Sequence, residues 1–297
     1  TDGKLKFQRM SLAGAGGQCQ MIAQKRKDGR VPYILYYLGG ALLNLISAIL
    51  FCILALLCQD AEGLRIFLLL LSLMGVIFVV MNGIPFQTKM LNNDGYTVQL
   101  ISKSPEALHS YYIQMKIMEQ NISGVRLRDM PEEWFELPSE ESMKNSMIAT
   151  GGMFACNRVM DQMKFEETDQ MIEKLFSMDI ELIGLYRNLL INDQIYCKLV
   201  STNNQEQPEK LLDKQQQKFM KMMKNFPTIL RTEYAYVLLA EHNEAKAQNI
   251  RDRFQQIAKR YPCIQDIESE LELFDYAEDC FKKHKCEAGR TEGEDIL

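Results

Sequence analysis

The chain is short of histidine, of paired cysteines and of glycine-rich nucleotide motifs, and each shortage removes a class of chemistry. Its only histidines are His109, His242 and His284, and the first two read as ordinary helix residues without a chemical role. Among the eight cysteines, Cys52 and Cys58 fall in an apolar run, while Cys156, Cys197, Cys263, Cys280 and Cys286 are scattered without CxxC spacing. That pattern excludes a disulfide framework and a zinc finger and suits a reducing compartment. Cys280, His284 and Cys286 are types that bind zinc, but they sit in a Lys-rich terminus with no second ligand pair. Counting from Gly14 and Gly16, the third position of GxGxxG falls on Cys19, so no dinucleotide fingerprint exists.

Charge is missing too, though only locally. The averages of 47% hydrophobic and 25% charged residues with a net charge of -5 describe an ordinary soluble protein. Yet between 31 and 86 the only charged residues are Asp60, Glu62 and Arg65. Two apolar runs, Tyr33 to Cys58 and Leu64 to Ile84, are separated by Gln59-Asp60-Ala61-Glu62-Gly63. As helices they would be roughly 39 and 31 Å long, enough to cross a hydrocarbon core of about 30 Å. They read as a transmembrane helical hairpin over 31–102, with the lipid bilayer as its first partner.

Lys4, Lys6, Arg9, Lys25, Arg26, Lys27 and Arg30 precede the first run, Lys89 and Lys103 follow the second, and the intervening loop is acidic. Short cytoplasmic flanks accumulate Lys and Arg, so a multi-pass cell-membrane protein with both flanks cytoplasmic is expected. Lys25-Arg26-Lys27 belongs to that flank rather than to a nucleic-acid patch, and no nucleic-acid partner is expected. Within 1–30, Lys4 to Met10 and Gln18 to Ile22 flank a glycine-rich stretch and read as a short β-hairpin. No signal peptide is recognisable, and the strand-like start reads as the interior of a longer protein.

Asn44 and Asn82 are polar residues inside the apolar runs. In the simplest account Gly39 and Gly40 permit close helix packing and each Asn bonds across to a neighbour; in the other, they shape a buried polar site at membrane depth. Asn93-Asp94-Gly95 is by itself a strong tight-turn sequence.

Taken together, GGALLNL (39–45) and NGIPF…NNDGY (82–96) resemble the GGPxxN and NxxP…DG elements of the site-2 protease family of intramembrane zinc metalloproteases. The segment GKLKFQRMSLAGAGGQC (3–19) is similar to the membrane-associated strands that follow the family's first catalytic helix. The resemblance spans about residues 3–100. It implies a metalloendopeptidase that cleaves a membrane-protein substrate near the cytoplasmic face, with Asp94 as the third zinc ligand and Asn44 and Asn82 near the substrate strand. In the family, HExxH supplies two His ligands and the water-activating Glu. HExxH is absent here, so the chain carries no catalytic residue of its own, and zinc is implied only if an HExxH helix is supplied upstream. Ala41 stands in place of the family's Pro, and Asn93 and Tyr96 where Leu and a second Gly are common.

Beyond Lys103 helical patterning takes over. Ser104-Pro105-Glu106 is a helix start, with Ser as cap and Pro in the first turn. Pro131 to Pro138 predicts a short helical turn whose Trp134 and Phe135 dock on the main body. Asn157 to Phe176 resembles the middle of a tetratricopeptide repeat, and Phe226-Pro227 and Tyr261-Pro262 repeat an aromatic-Pro helix ending 35 residues apart. Met220, Met222 and Met223 suit either core filling or an adaptable binding groove. The expected protein is therefore mainly α: a β-hairpin (1–30), a transmembrane hairpin (31–102), a soluble cytoplasmic helical repeat-like domain (103–285) that binds a protein partner, and a disordered tail (286–297). The alternative to the protease is a non-catalytic membrane-anchored interaction module.

Overall fold

The computed structural model describes residues 31–58, 60–88, 90–201, 208–261 and 263–294, with side chains as far as 285. The β-hairpin expected in 1–30 lies outside the described residues. Among those described no strand forms, and the only pairing of extended chain is an isolated antiparallel bridge between Gln87 and Asn92. The chain is mainly helical.

The two apolar runs become α1 (Tyr33–Leu57) and α2 (Glu62–Gly83). At 1.5 Å per residue they are roughly 38 and 33 Å long, so both are long and apolar enough to cross a membrane. They pack on each other through small side chains. Ala41, Ala48 and Ala55, spaced by seven, are the buried residues of α1. A Cβ on Gly75 would stand 2.9 Å from the Ala48 Cβ and 3.0 Å from the Asn44 carbonyl oxygen, and one on Gly83 would meet Ala41 at 3.5 Å. Ser72 Oγ adds a 2.8 Å bond to the Ala48 carbonyl. Close approach of this kind gives van der Waals contact where lipid offers no hydrophobic driving force. The expectation that Gly39 and Gly40 would mediate it is corrected: a Cβ added at either would meet no atom of another element within 4 Å. The outward faces are Leu, Ile, Val and Phe.

A nine-residue helix, α3 (Asp94–Ser102), links this pair to the remainder. Its Leu100 and Ile101 are buried with Tyr111 and Met147, and Asn145 Nδ2 donates to the Leu100 carbonyl at 2.9 Å. Then follow α4 (Pro105–Ile122), α5 (Ser146–Asp161), α6 (Phe165–Ser177), α7 (Gly184–Val200), α8 (Lys214–Met222), α9 (Pro227–Leu239), α10 (Glu244–Ala258) and α11 (Ile264–Glu294). Their starts are chemically marked, as by Ser104, which accepts from Ala107 N ahead of Pro105, and Asn145, which accepts from Met147 N. Side-chain caps satisfy amides that the first turn leaves unpaired. Neighbouring helices pack, α4 on α5, α5 on α6, α6 on α7 and α9 on α10, while α9 also touches α7 and α11. Short connections join α5 to α6, α6 to α7 and α9 to α10, which favours antiparallel packing of those pairs.

Several local expectations hold. Glu132–Phe135 is a 3-10 turn with Phe135 buried and Trp134 packed beside it. Asp161 ends α5, and Phe165-Glu166-Glu167 opens α6 after a tight turn. Two are corrected. Phe226 caps the start of α9 and does not end a helix. His242 is not helical but occupies the turn before α10 at φ 50. Phe226 and Tyr261 nevertheless meet, with ring centroids 6.5 Å apart.

Candidate functional site

Asn93 organises the end of the hairpin. Its Oδ1 accepts from Tyr96 N at 2.9 Å and Phe86 N at 3.0 Å, and its Nδ2 donates to the carbonyls of Met81 at 2.7 Å and Ile84 at 2.6 Å. One side chain thus caps α3 and closes off the C-terminus of α2. The NDG sequence is consequently a helix start, not a turn between extended segments. Gly95 completes the junction: a Cβ there would be driven into the Gly83 carbonyl, 2.9 Å from its carbon and 3.0 Å from that of Ile84. No side chain fits between α2 and α3 at this point.

Asp94 is therefore held as the first residue of α3, beside the C-terminal end of α2. It is half-buried, and its carboxylate makes no hydrogen bond or ion pair among the described residues. Desolvation by burial pushes its pKa above the usual carboxylate range. The N-terminus of α3 favours a negative charge at this position by a fraction of a kcal/mol.

Asn82 Nδ2 donates to the Phe78 carbonyl of its own helix at 3.2 Å, and does not bond across to α1. The Asn44 side chain makes no hydrogen bond among the described residues. Because Gly75 sits against Asn44 and Ala48 while Gly83 sits against Ala41, Asn44 and Asn82 lie at similar depth, separated by about 3 Å along the pair at 1.5 Å per residue.

Tyrosines surround the base of α1. The rings of Tyr33 and Tyr37 stand 6.4 and 5.8 Å from that of Tyr111, and Tyr36 packs edge-on to Tyr37 at 5.0 Å. Tyr33 Oη and Ser102 Oγ are 3.0 Å apart. The buried Tyr111 hydroxyl has no hydrogen-bond partner among the described residues. Sequence reasoning read Asn93 as a turn residue and did not single out this cluster. The signals were an Asn directly ahead of a helical run and aromatic residues at the end of a span.

Among the described residues no three His, Cys, Asp or Glu side chains converge. They do not fit zinc by themselves, and Asp94 is one ligand at most. Cys280 is buried beneath Val200, its Sγ 3.9 Å from that carbonyl, while His284 is exposed; the Cys286 side chain lies outside the described residues.

The helical domain carries a groove of about 610 Å³ lined by Leu212, Met220, Ile229 and Tyr236 together with Lys221 and Arg253. Of the three methionines, Met223 fills core, Met220 packs beside it and lines the groove, and Met222 is 51% exposed. The chain matches no protein-family model, no curated protein and no solved structure.

Proposed function

We propose that this chain is the part of an intramembrane zinc metalloendopeptidase of the site-2 protease type that supplies Asp94 and the hairpin, with the helical domain selecting or regulating a membrane-protein substrate on the cytoplasmic side. The observation carrying this is Asp94: a half-buried carboxylate with no described partner, fixed beside a membrane-long helix by the four bonds of Asn93. Leaving such a group unpaired costs folding free energy, so it suits a residue reserved for a ligand. The remaining donors and the water-activating group have to come from residues other than those described. Asn44, also unpaired at membrane depth, suits contact with another helix or a substrate strand.

Asp94→Asn tests this. Asn serves at a helix start as well as Asp, so the fold should persist. A folded-state pKa above the unfolded one means that the Asp stabilises only at low pH and loses that contribution as pH rises through its folded value. The metal-free Asn variant should therefore be as stable as the parent, or more so, near neutrality. Zinc retention by the full-length protein should fall by more than the roughly 10- to 100-fold typical of residues that merely support ligands, and cleavage of a model membrane-helix substrate should cease. Unchanged zinc and cleavage would make Asp94 a structural residue.

The groove beside Met220 favours a second function, a membrane-anchored interaction module without catalysis, whose repeat-like helices hold a protein segment. A full-length protein without proteolytic activity, but with partner binding lost on Tyr236→Ala, would favour it.

A further inference from the structure

The domain beyond residue 102 is acidic, with 25 Lys and Arg against 34 Asp and Glu over 103–297. One stretch reverses that sign. Between 210 and 225 stand Lys210, Lys214, Lys218, Lys221 and Lys224 with a single acid, Asp213, which is committed to capping α8 through Gln216 N. All five lysines are exposed, and none enters an ion pair among the described residues. At 100° per residue, Lys214, Lys218 and Lys221 share the face of α8 opposite Gln216 and Phe219, which are buried. Met222, 51% exposed, flanks that face.

The place of α8 gives this charge a partner. Phe219 and Met223 pack in one cluster with Met90 and Leu91, and Leu185 N donates to the Met90 carbonyl at 3.2 Å. Met90 and Leu91 are three and two residues from Asn93, whose side chain touches the end of α2. They therefore lie within about 11 Å of Asn93, given 3.3 to 3.6 Å per extended residue. Ile84 and Phe86, 56% and 61% exposed, continue the apolar surface of α2 toward them. A basic face on a helix packed against the segment that leaves α2 carries the charge that anionic headgroups attract.

We propose that α8 and its flanking lysines form a docking face for anionic phospholipid headgroups, holding the helical domain against the bilayer. This rests on α1 and α2 spanning a membrane and is independent of the protease assignment. The occupant follows from charge complementarity and from continuity with the apolar surface of α2.

The full chain would be reconstituted in phosphatidylcholine nanodiscs with and without phosphatidylserine, and acylation of each lysine by a water-soluble reagent followed by mass spectrometry. Lys214, Lys218 and Lys221 are expected to react several-fold more slowly with phosphatidylserine present, and the difference to vanish in high salt. Lys218→Glu/Lys221→Glu should restore Lys214 reactivity. Each lysine neutralised should weaken docking about fivefold. Equal reactivity in the two lipids, or protection that ignores salt or lipid charge as a protein contact would give, overturns the proposal. Extraction of the chain from vesicles by alkaline carbonate would instead overturn the spanning of α1 and α2, and the proposal with it, so the two failures are distinguishable.

Discussion

Gly95→Ala is expected to pull α3 away from the end of α2 and to destabilise the protein, reversing the usual sign of a Gly-to-Ala change in a helix. Elsewhere that change gains up to about 1 kcal/mol. Here the new methyl would meet the Gly83 carbonyl and the Ile84 carbon, which are backbone atoms with no rotamer to yield. Overpacking of this kind costs typically 1 to 3 kcal/mol. The loss is larger if α3 shifts enough to break the Asn93 bonds to Met81 and Ile84. Thermal unfolding in detergent measures it, with Gly63→Ala as reference, since a Cβ there would meet open space. Gly95→Ala should also move Asp94 and so abolish any activity that depends on its position. An unaltered or raised melting temperature would show that the α2 to α3 junction is looser than its geometry.

Arg231→Met is expected to unfold the helical domain at neutral pH. Arg231 is 1% exposed in α9, with its guanidinium 2.5 Å from Asp193 and 3.6 Å from Glu270, and it stacks 4.6 Å from the centroid of the Tyr196 ring. Removing one member of a buried ionic cluster costs about 3 to 5 kcal/mol, because the charge left behind is uncompensated. A total stability of about 5 to 15 kcal/mol makes that decisive. Burial already pushes the Asp193 and Glu270 carboxyls up, and Arg231 opposes the rise. Without Arg231 both rise further. Groups with raised folded-state pKa values lend stability below those values and lose it as pH climbs through them. The variant should therefore regain helix and resist denaturant better near about pH 5 than near about pH 8. A variant equally unstable at both would mean that lost packing dominates.

Much of the architecture was legible because it depends on local composition. The apolar runs gave α1 and α2 to within a few residues, since a stretch of this length without charge has few other uses. Ser104-Pro105 and Phe165-Glu166-Glu167 marked helix starts through capping chemistry and proline geometry, which act within one turn. Phe226-Pro227 was misassigned because an aromatic-Pro pair shows that helices meet without showing which of them begins. Asn93-Asp94-Gly95 was ambiguous for the same reason, as Asn suits a turn and a helix cap alike.

Asp94 was singled out by resemblance and Asn44 and Asn82 as polar residues within apolar runs, whereas their surroundings were not visible in the chain. Gly39 and Gly40 looked like the packing glycines, yet Gly75 and Gly83 have that role. Which side of an apolar helix faces its neighbour depends on the rotation of both helices, and a run without polar contrast does not record it. The sequence by itself determined that the protein is mainly helical, with two membrane-long apolar helices ahead of a charged helical region, because length, hydropathy and capping are local properties. Only the tertiary structure decided that Asn93 is the junction, that Asp94 stands unpaired beside it, that Arg231 lies between Asp193 and Glu270, and that α8 packs on Met90 and Leu91. Each of these depends on groups far apart in sequence, brought together by packing free energy that no single segment carries.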